Sequence, residues 1–106
     1  MKGKIHRKLV NEGGRMVEKR IVAICDADLL GKVFEEGERV LDLQKYRSFY
    51  EGEMVTEKGV AELLEGAMSY NLVGKKSIAA AGKVIRIDPK SVMKIGGIPH
   101  LQVYFV

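Results

Sequence analysis

Cys25 and Asp26 stand side by side at the end of an apolar run, Ile21-Val22-Ala23-Ile24, and His100 follows a proline close to the other end of the chain. These residue types could support the sharpest chemistry in the sequence. A thiol at a strand end, beside the start of a helix, can have its pKa depressed. A histidine brought against it could act as its base. The competing reading is structural, because cysteine is among the residues most often buried and packs as a small hydrophobe. No local nucleophile signature surrounds Cys25. Cys25, Asp26 and His100 are therefore candidates, and no catalytic residue is assigned.

A second possibility is an anion site at Val73-Gly74-Lys75-Lys76-Ser77. Free N–H groups at a helix start, together with two lysines, suit a phosphate. Asn71 and Gly74 flank the break in the chain that would open this helix, and both residue types tolerate left-handed backbone. The segment is not a P-loop, since Ser69 stands where the first glycine would be and a helix is expected before it. Asn71, Gly74, Lys75 and Lys76 are the candidate contacts. Asp26, Asp28, Glu35 and Glu36 could pair as carboxylates, but such clusters are usually solvated. Two histidines and one cysteine, widely spaced, make no metal-ligand pair, so neither a metal nor a cofactor is expected.

Charge is distributed in blocks. Residues 1–20 carry seven bases against two acids, residues 21–66 five against eleven, and residues 67–106 six against one. If the two basic ends meet in space, they form a cationic face opposite an acidic one, the footprint expected for RNA or another polyanion. The contacts would be Lys2, Lys4, Arg7 and Lys8 from one end and Lys75 and Lys76 from the other. The first functional expectation is thus a non-catalytic binding module in an RNA or ribonucleoprotein setting. The alternatives are a small enzyme or phosphate-bearing small-molecule binder using Cys25 and His100, and a protein-partner module joined through the C-terminal strand.

The elements that must position these residues can be read from spacing. Residues 4–10 and 16–25 suggest two strands around a turn at Asn11-Glu12-Gly13-Gly14. The second strand is apolar on both faces at its end, which suits a central strand. Val60, Leu63, Leu64, Ala67 and Met68 recur at helical spacing, so a main helix is expected from Thr56 to Asn71, with Thr56 as its cap. Tyr46, Phe49 and Tyr50 fall in a loop or irregular strand. A second helix is expected over 75–82, a strand over 84–87, and one helical turn after Asp88-Pro89. The stretch 101–106 is apolar except for Gln102. It must be central in the sheet or covered by another subunit, which leaves a homo-oligomer through this strand as an expectation.

The ordered set Cys25-Asp26, Leu30-Gly31-Lys32, Phe34, Phe49-Tyr50-Glu51-Gly52-Glu53, Asn71-Leu72-Val73-Gly74 and Gly97-Ile98-Pro99-His100 resembles the archaeal "domain of unknown function 424" family. The resemblance runs from about Ile5 to Val103. Leu101 departs from it, since a smaller residue is expected after His100. It implies an archaeal, cytosolic, single-domain protein and brings no activity, cofactor or catalytic residue.

A length of 106 residues suits one domain, taken as 1–106. The charged N-terminal residues do not read as a signal peptide, and no apolar run approaches the length of a membrane span, so a cytoplasmic protein without membrane contact is expected. The fold class expected is α+β: a mainly antiparallel sheet of four to five strands, with two principal helices packed on one face.

Overall fold

The computed structural model describes residues 1–104. The chain opens with a long hairpin, β1 (Lys2–Glu12) and β2 (Arg15–Cys25). Its turn is held by Asn11, whose Oδ1 accepts the Gly14 N–H at 3.0 Å. A 3-10 turn over Ala27–Leu29 leads to a second, small hairpin, β3 (Val33–Glu36) and β4 (Arg39–Asp42). One turn of helix, α1 (Arg47–Tyr50), and a short strand, β5 (Glu53–Met54), precede the helix α2 (Glu57–Leu64). Then come β6 (Ser69–Val73), the helix α3 (Lys75–Gly82), a 3-10 turn over Pro89–Ser91, β7 (Met93–Ile95) and β8 (Ile98–Val103).

The large sheet has six strands in the order β5-β1-β2-β6-β8-β7, and β3-β4 form a separate two-stranded sheet. The pair β2–β6 is parallel and the other pairs are antiparallel. This corrects the expected mainly antiparallel sheet of four to five strands. The reason lies in residues 65–73. Thr56 does cap α2, accepting the Gly59 N–H at 3.2 Å. The helix nevertheless ends at Leu64 instead of running to Asn71. Gly66 takes a φ of +70°, a conformation open to glycine at little cost, and turns the chain out of the helix. Ala67 and Met68 continue the helical spacing only by coincidence, and Met68 is left exposed. The next five residues, Ser-Tyr-Asn-Leu-Val, form β6 in the middle of the sheet. A parallel neighbour for β2 demands a long crossover, and the segment 26–68 supplies it.

Three smaller differences follow from packing. Of residues 46–50, expected as loop or irregular strand, Arg47–Tyr50 form α1 across β1. Residues 84–87 are not a strand; Ile85 and Ile87 instead lie against the core beside α3. Of the expected strand 101–106, residues up to Val103 lie in β8, with β6 on one side and β7 on the other, and Phe105 and Val106 fall outside the described residues.

Alternation along the strands divides the interior in two. Val22, Ile24, Leu72 and Leu101 face Val60 and Leu64 of α2 and Ala80 and Ala81 of α3. Ala23, Cys25 and Val73 face the other way, toward Leu41, Leu43, Tyr50 and Ile95 under the small hairpin and α1. Each fully buried aliphatic side chain contributes about 1.5–3 kcal/mol.

Candidate functional site

Asn71 lies in the middle of β6 on the face covered by α1 and the small hairpin. A buried polar side chain there must find partners, since an unmet amide in an apolar interior costs several kcal/mol by order of magnitude. It finds three. Its Oδ1 accepts the Tyr50 hydroxyl at 2.9 Å and lies 2.8 Å from His100 Nε2, and its Nδ2 donates to the Tyr104 hydroxyl at 3.2 Å. Tyr50 comes from α1, Asn71 from β6, and His100 from β8. All three are buried, at 4%, 3% and 9% exposure. Register accounts for the meeting: Asn71 is opposite Gln102 and Val73 is opposite His100, so these side chains share one face.

Burial lowers the His100 pKa below its usual 6.5 and raises that of Tyr50. The imidazole is thus neutral and the phenol protonated near neutral pH. With the Asn71 oxygen accepting, His100 carries its proton on Nε2.

Above this cluster is a cleft of about 370 Å³ lined by Leu41, Leu43, Tyr46, Tyr50, His100 and Gln102 among others. Its far wall is the turn after β4. Asp42 Oδ1 accepts the backbone N–H groups of Gln44 and Lys45 at 3.1 and 2.8 Å, and Leu43 is pinned to Gly31 and Lys32 by two backbone hydrogen bonds. Sequence reasoning placed Asn71 and His100 among the candidates but missed Tyr50, which it assigned to a loop or irregular strand. An available signal was the presence of three polar-capable residues in segments that had to be buried.

Cys25 lies on the same face as His100 but not beside it. Cys25 is opposite Val73, and Val73 is opposite His100, so two strand spacings, roughly 10 Å, separate them. The thiol is fully enclosed and directed at the Asp26 carbonyl 3.3 Å away. Its pKa is pushed up to about 12, first by burial and then by the charges of Asp26 and Asp28. A nucleophile needs the opposite environment.

The segment expected to hold an anion holds one from within the chain. Asp26, at the end of β2, reaches the start of α3 and accepts the N–H groups of Lys76 and Ser77 at 3.1 and 2.8 Å and the Ser77 hydroxyl at 2.7 Å. A Cβ on Gly74 would sit 2.3 Å from the Asp26 carboxyl carbon, and Gly74 has a φ of +104°, so only glycine fits this position. Asp26, Gly74, Lys76 and Ser77 do come together, as a cap for α3.

The basic candidates divide between the ends of the sheet. Lys2 is opposite Cys25, at the end where α3 begins with the exposed Lys75 and Lys76. Lys4 Nζ donates to the Ser48 carbonyl at 2.9 Å. Arg7 and Lys8 lie at the other end, about 17 Å along the strand from Lys2. There β1 and β2 continue past the last partner of β6, which is Ile21, as a two-stranded arm. Among the described residues, no group of three or more His, Cys, Asp or Glu side chains is arranged to hold a metal ion, and no helix is long and apolar enough to cross a membrane.

No curated protein matches the chain. Among solved structures, the crystal structure of an uncharacterized conserved protein from Methanopyrus kandleri is similar over 94% of this chain and 90% of its own. The TM-score is 0.64 and the identity 21%, so the likeness is one of fold. Residues 15–106 match the family described as Protein of unknown function (DUF424), and with that match the chain belongs to this family.

Proposed function

We propose that this protein is a non-catalytic binding module for RNA, and that its β1–β2 arm binds the phosphates. One observation carries the reading. Across the arm, Arg7 is directly opposite Arg20 and Lys8 directly opposite Lys19. Like charges in facing positions destabilise a strand pair by a few tenths to about 1 kcal/mol, in a hairpin that is marginal by itself. Glu18 offsets Arg7 at 3.5 Å and Glu12 offsets Lys19 at 2.9 Å. Lys8, Arg15 and Arg20 have no carboxylate partner among the described residues. The two pairs project from opposite faces of the arm, and a polyanion wrapped around it would turn both repulsions into attraction. Lys2, Lys75 and Lys76, at the opposite end, form a secondary cationic site in this reading, and Lys4 serves mainly to hold α1.

The test is filter binding of single-stranded RNA at two salt concentrations, with the Lys8→Glu/Arg20→Glu double variant. Every phosphate that the protein no longer neutralises reduces the slope of log affinity against log salt by roughly 0.7. The double variant should therefore lower the slope by about 1.4 and weaken binding at low salt. Absent or salt-indifferent binding by the unmodified protein would overturn the proposal. An enzyme using Cys25 and His100 is not favoured, because the thiol is enclosed, protonated and separated from the imidazole by Val73.

A further inference from the structure

The cleft above Asn71 has a hydrogen-bonding face that the protein leaves partly unused. His100 Nε2 has a single proton and directs it to Asn71 Oδ1 at 2.8 Å. The other ring nitrogen, Nδ1, is then an acceptor. It has no partner among the described residues, and no fully enclosed side-chain polar atom among them lacks one, so Nδ1 is not completely enclosed. Gln102, exposed and two residues further along β8, has its amide nitrogen 3.3 Å from the same Nε2. An amide NH2 beside an N–H donor has nothing to donate to. Because amide oxygen and nitrogen are interchangeable in shape, chemistry places the Gln102 oxygen toward the ring and its NH2 outward. The cleft thus presents an acceptor and a donor next to each other on β8, a strand paired with β6 and β7.

Tyr46 lines the cleft and is 54% exposed, and Lys45 Nζ lies over one part of its ring, 5.4 Å from the centroid. An exposed aromatic ring at the rim of a polar cleft is a stacking surface for a heterocycle, and a nearby ammonium suits the phosphate attached to it. The volume, about 370 Å³, is at the small end of the range for ligand sites and sufficient for one base.

We infer that this cleft binds a heterocyclic base through a lactam edge, the adjacent ring N–H and C=O of uracil or guanine, with the base stacked on Tyr46. The ring N–H donates to His100 Nδ1, and the carbonyl accepts from the Gln102 NH2. Cytosine and adenine carry the donor on the exocyclic amino group and the acceptor on the ring, so they meet the same two groups only with the base turned over, which redirects the attached sugar. The neutral state of His100 fits the acceptor role. Asn71 and Tyr50 are positioning residues: they fix the tautomer and hold the ring in place. The base could arrive as a free nucleotide or within RNA, and only in the second case does the inference rest on the function proposed above.

Calorimetric titration with uridine, guanosine, cytidine and adenosine monophosphates, and with oligouridylate and oligocytidylate, tests it. Tyr46 and Gln102 are exposed, so Tyr46→Ala and Gln102→Glu should leave the fold intact. The uracil and guanine compounds should bind roughly tenfold more tightly than the others, about the effect of one hydrogen bond. Gln102→Glu should abolish that preference, and Tyr46→Ala should weaken all binding in the cleft. Equal affinity for the four bases, or uridine binding indifferent to both variants, would overturn the inference. Mononucleotide preference with no salt-dependent RNA binding would support the cleft and remove the RNA reading. Salt-dependent RNA binding with no base preference would do the reverse.

Discussion

The two faces of the large sheet are built by alternate residues of the same strands, yet they differ in kind. Toward α2 and α3 the strands present Val22, Ile24, Leu72 and Leu101, an apolar layer with no polar member. Toward α1 and the small hairpin they present Ala23, Cys25 and Val73 together with Asn71 and His100. The first face is closed by helices and supplies cohesion. The second is covered by shorter pieces, leaves a cleft, and holds a polar network whose partners come from three distant segments. Buried polar groups contribute little net stability when satisfied and cost much when one partner is removed, whereas buried aliphatic groups contribute in proportion to area. Apolar cohesion and the buried polar network are thus segregated to opposite sides of the sheet.

That contrast can be broken most strongly on the helix face. Leu72→Ala should cost about 2–5 kcal/mol in denaturant unfolding, because the rigid layer around it cannot collapse into the cavity. Nucleotide titration of the folded fraction should be unchanged, since Leu72 points away from the cleft.

On the other face, Asn71→Leu should cost about 1–3 kcal/mol by leaving the Tyr50 hydroxyl and His100 Nε2–H without their shared acceptor. Combining it with Tyr50→Phe should recover part of that loss, because one stranded donor is then removed. A double variant no more stable than Asn71→Leu would show that the hydroxyl had found another partner.

The pH dependence of stability sharpens the comparison further. The folded pKa of His100 lies below its unfolded value of 6.5, so between the two the unfolded chain binds more protons. This contribution is complete above about 6.5 and is lost as pH falls toward the folded value. His100→Gln should flatten the acid limb of a plot of stability against pH. Cys25 acts at the other extreme. Its thiol is raised from 9.0 to about 12, so the unfolded chain loses the proton first and stability falls as pH rises through that interval. Cys25→Ala should remove that alkaline loss. The smallest effect expected is at the surface: Lys83 and Glu57 pair at 2.8 Å but are both more than half exposed, and Lys83→Ala should change stability by under 1 kcal/mol.

Local signals were legible wherever a residue acts on its own neighbourhood. The Asn11–Gly14 turn, the Thr56 cap, the helix from Lys75 to Gly82 and the Asp88–Pro89 turn all depend on interactions within a few residues, and all are present in the structure. The strand β6 was hidden because the residues just before it, Ala67 and Met68, extend the helical spacing of α2 and the turn between relies on one glycine. Five residues of mixed polarity, Ser-Tyr-Asn-Leu-Val, do not announce a period. The candidate site was half legible. Asn71 and His100 were marked as polar residues at structural breaks, but Tyr50 gains its meaning only from an oxygen 21 positions away. Asp26 was weighed as chemistry, beside Cys25 and in a possible carboxylate pair. It caps instead a helix that begins some 50 residues later.

By itself the sequence determined the α+β class, the two basic ends, the local turns and caps, and the membership of a family. These follow from composition and from interactions of short range. The tertiary structure alone decided that β2 and β6 run parallel, that Asp26 fills the start of α3, that Cys25 and His100 are kept apart, and that Tyr50, Asn71 and His100 share one oxygen. Each of those outcomes depends on which strands become neighbours. That choice is made by the burial of whole faces at once, a sum over distant segments that no window of the chain contains.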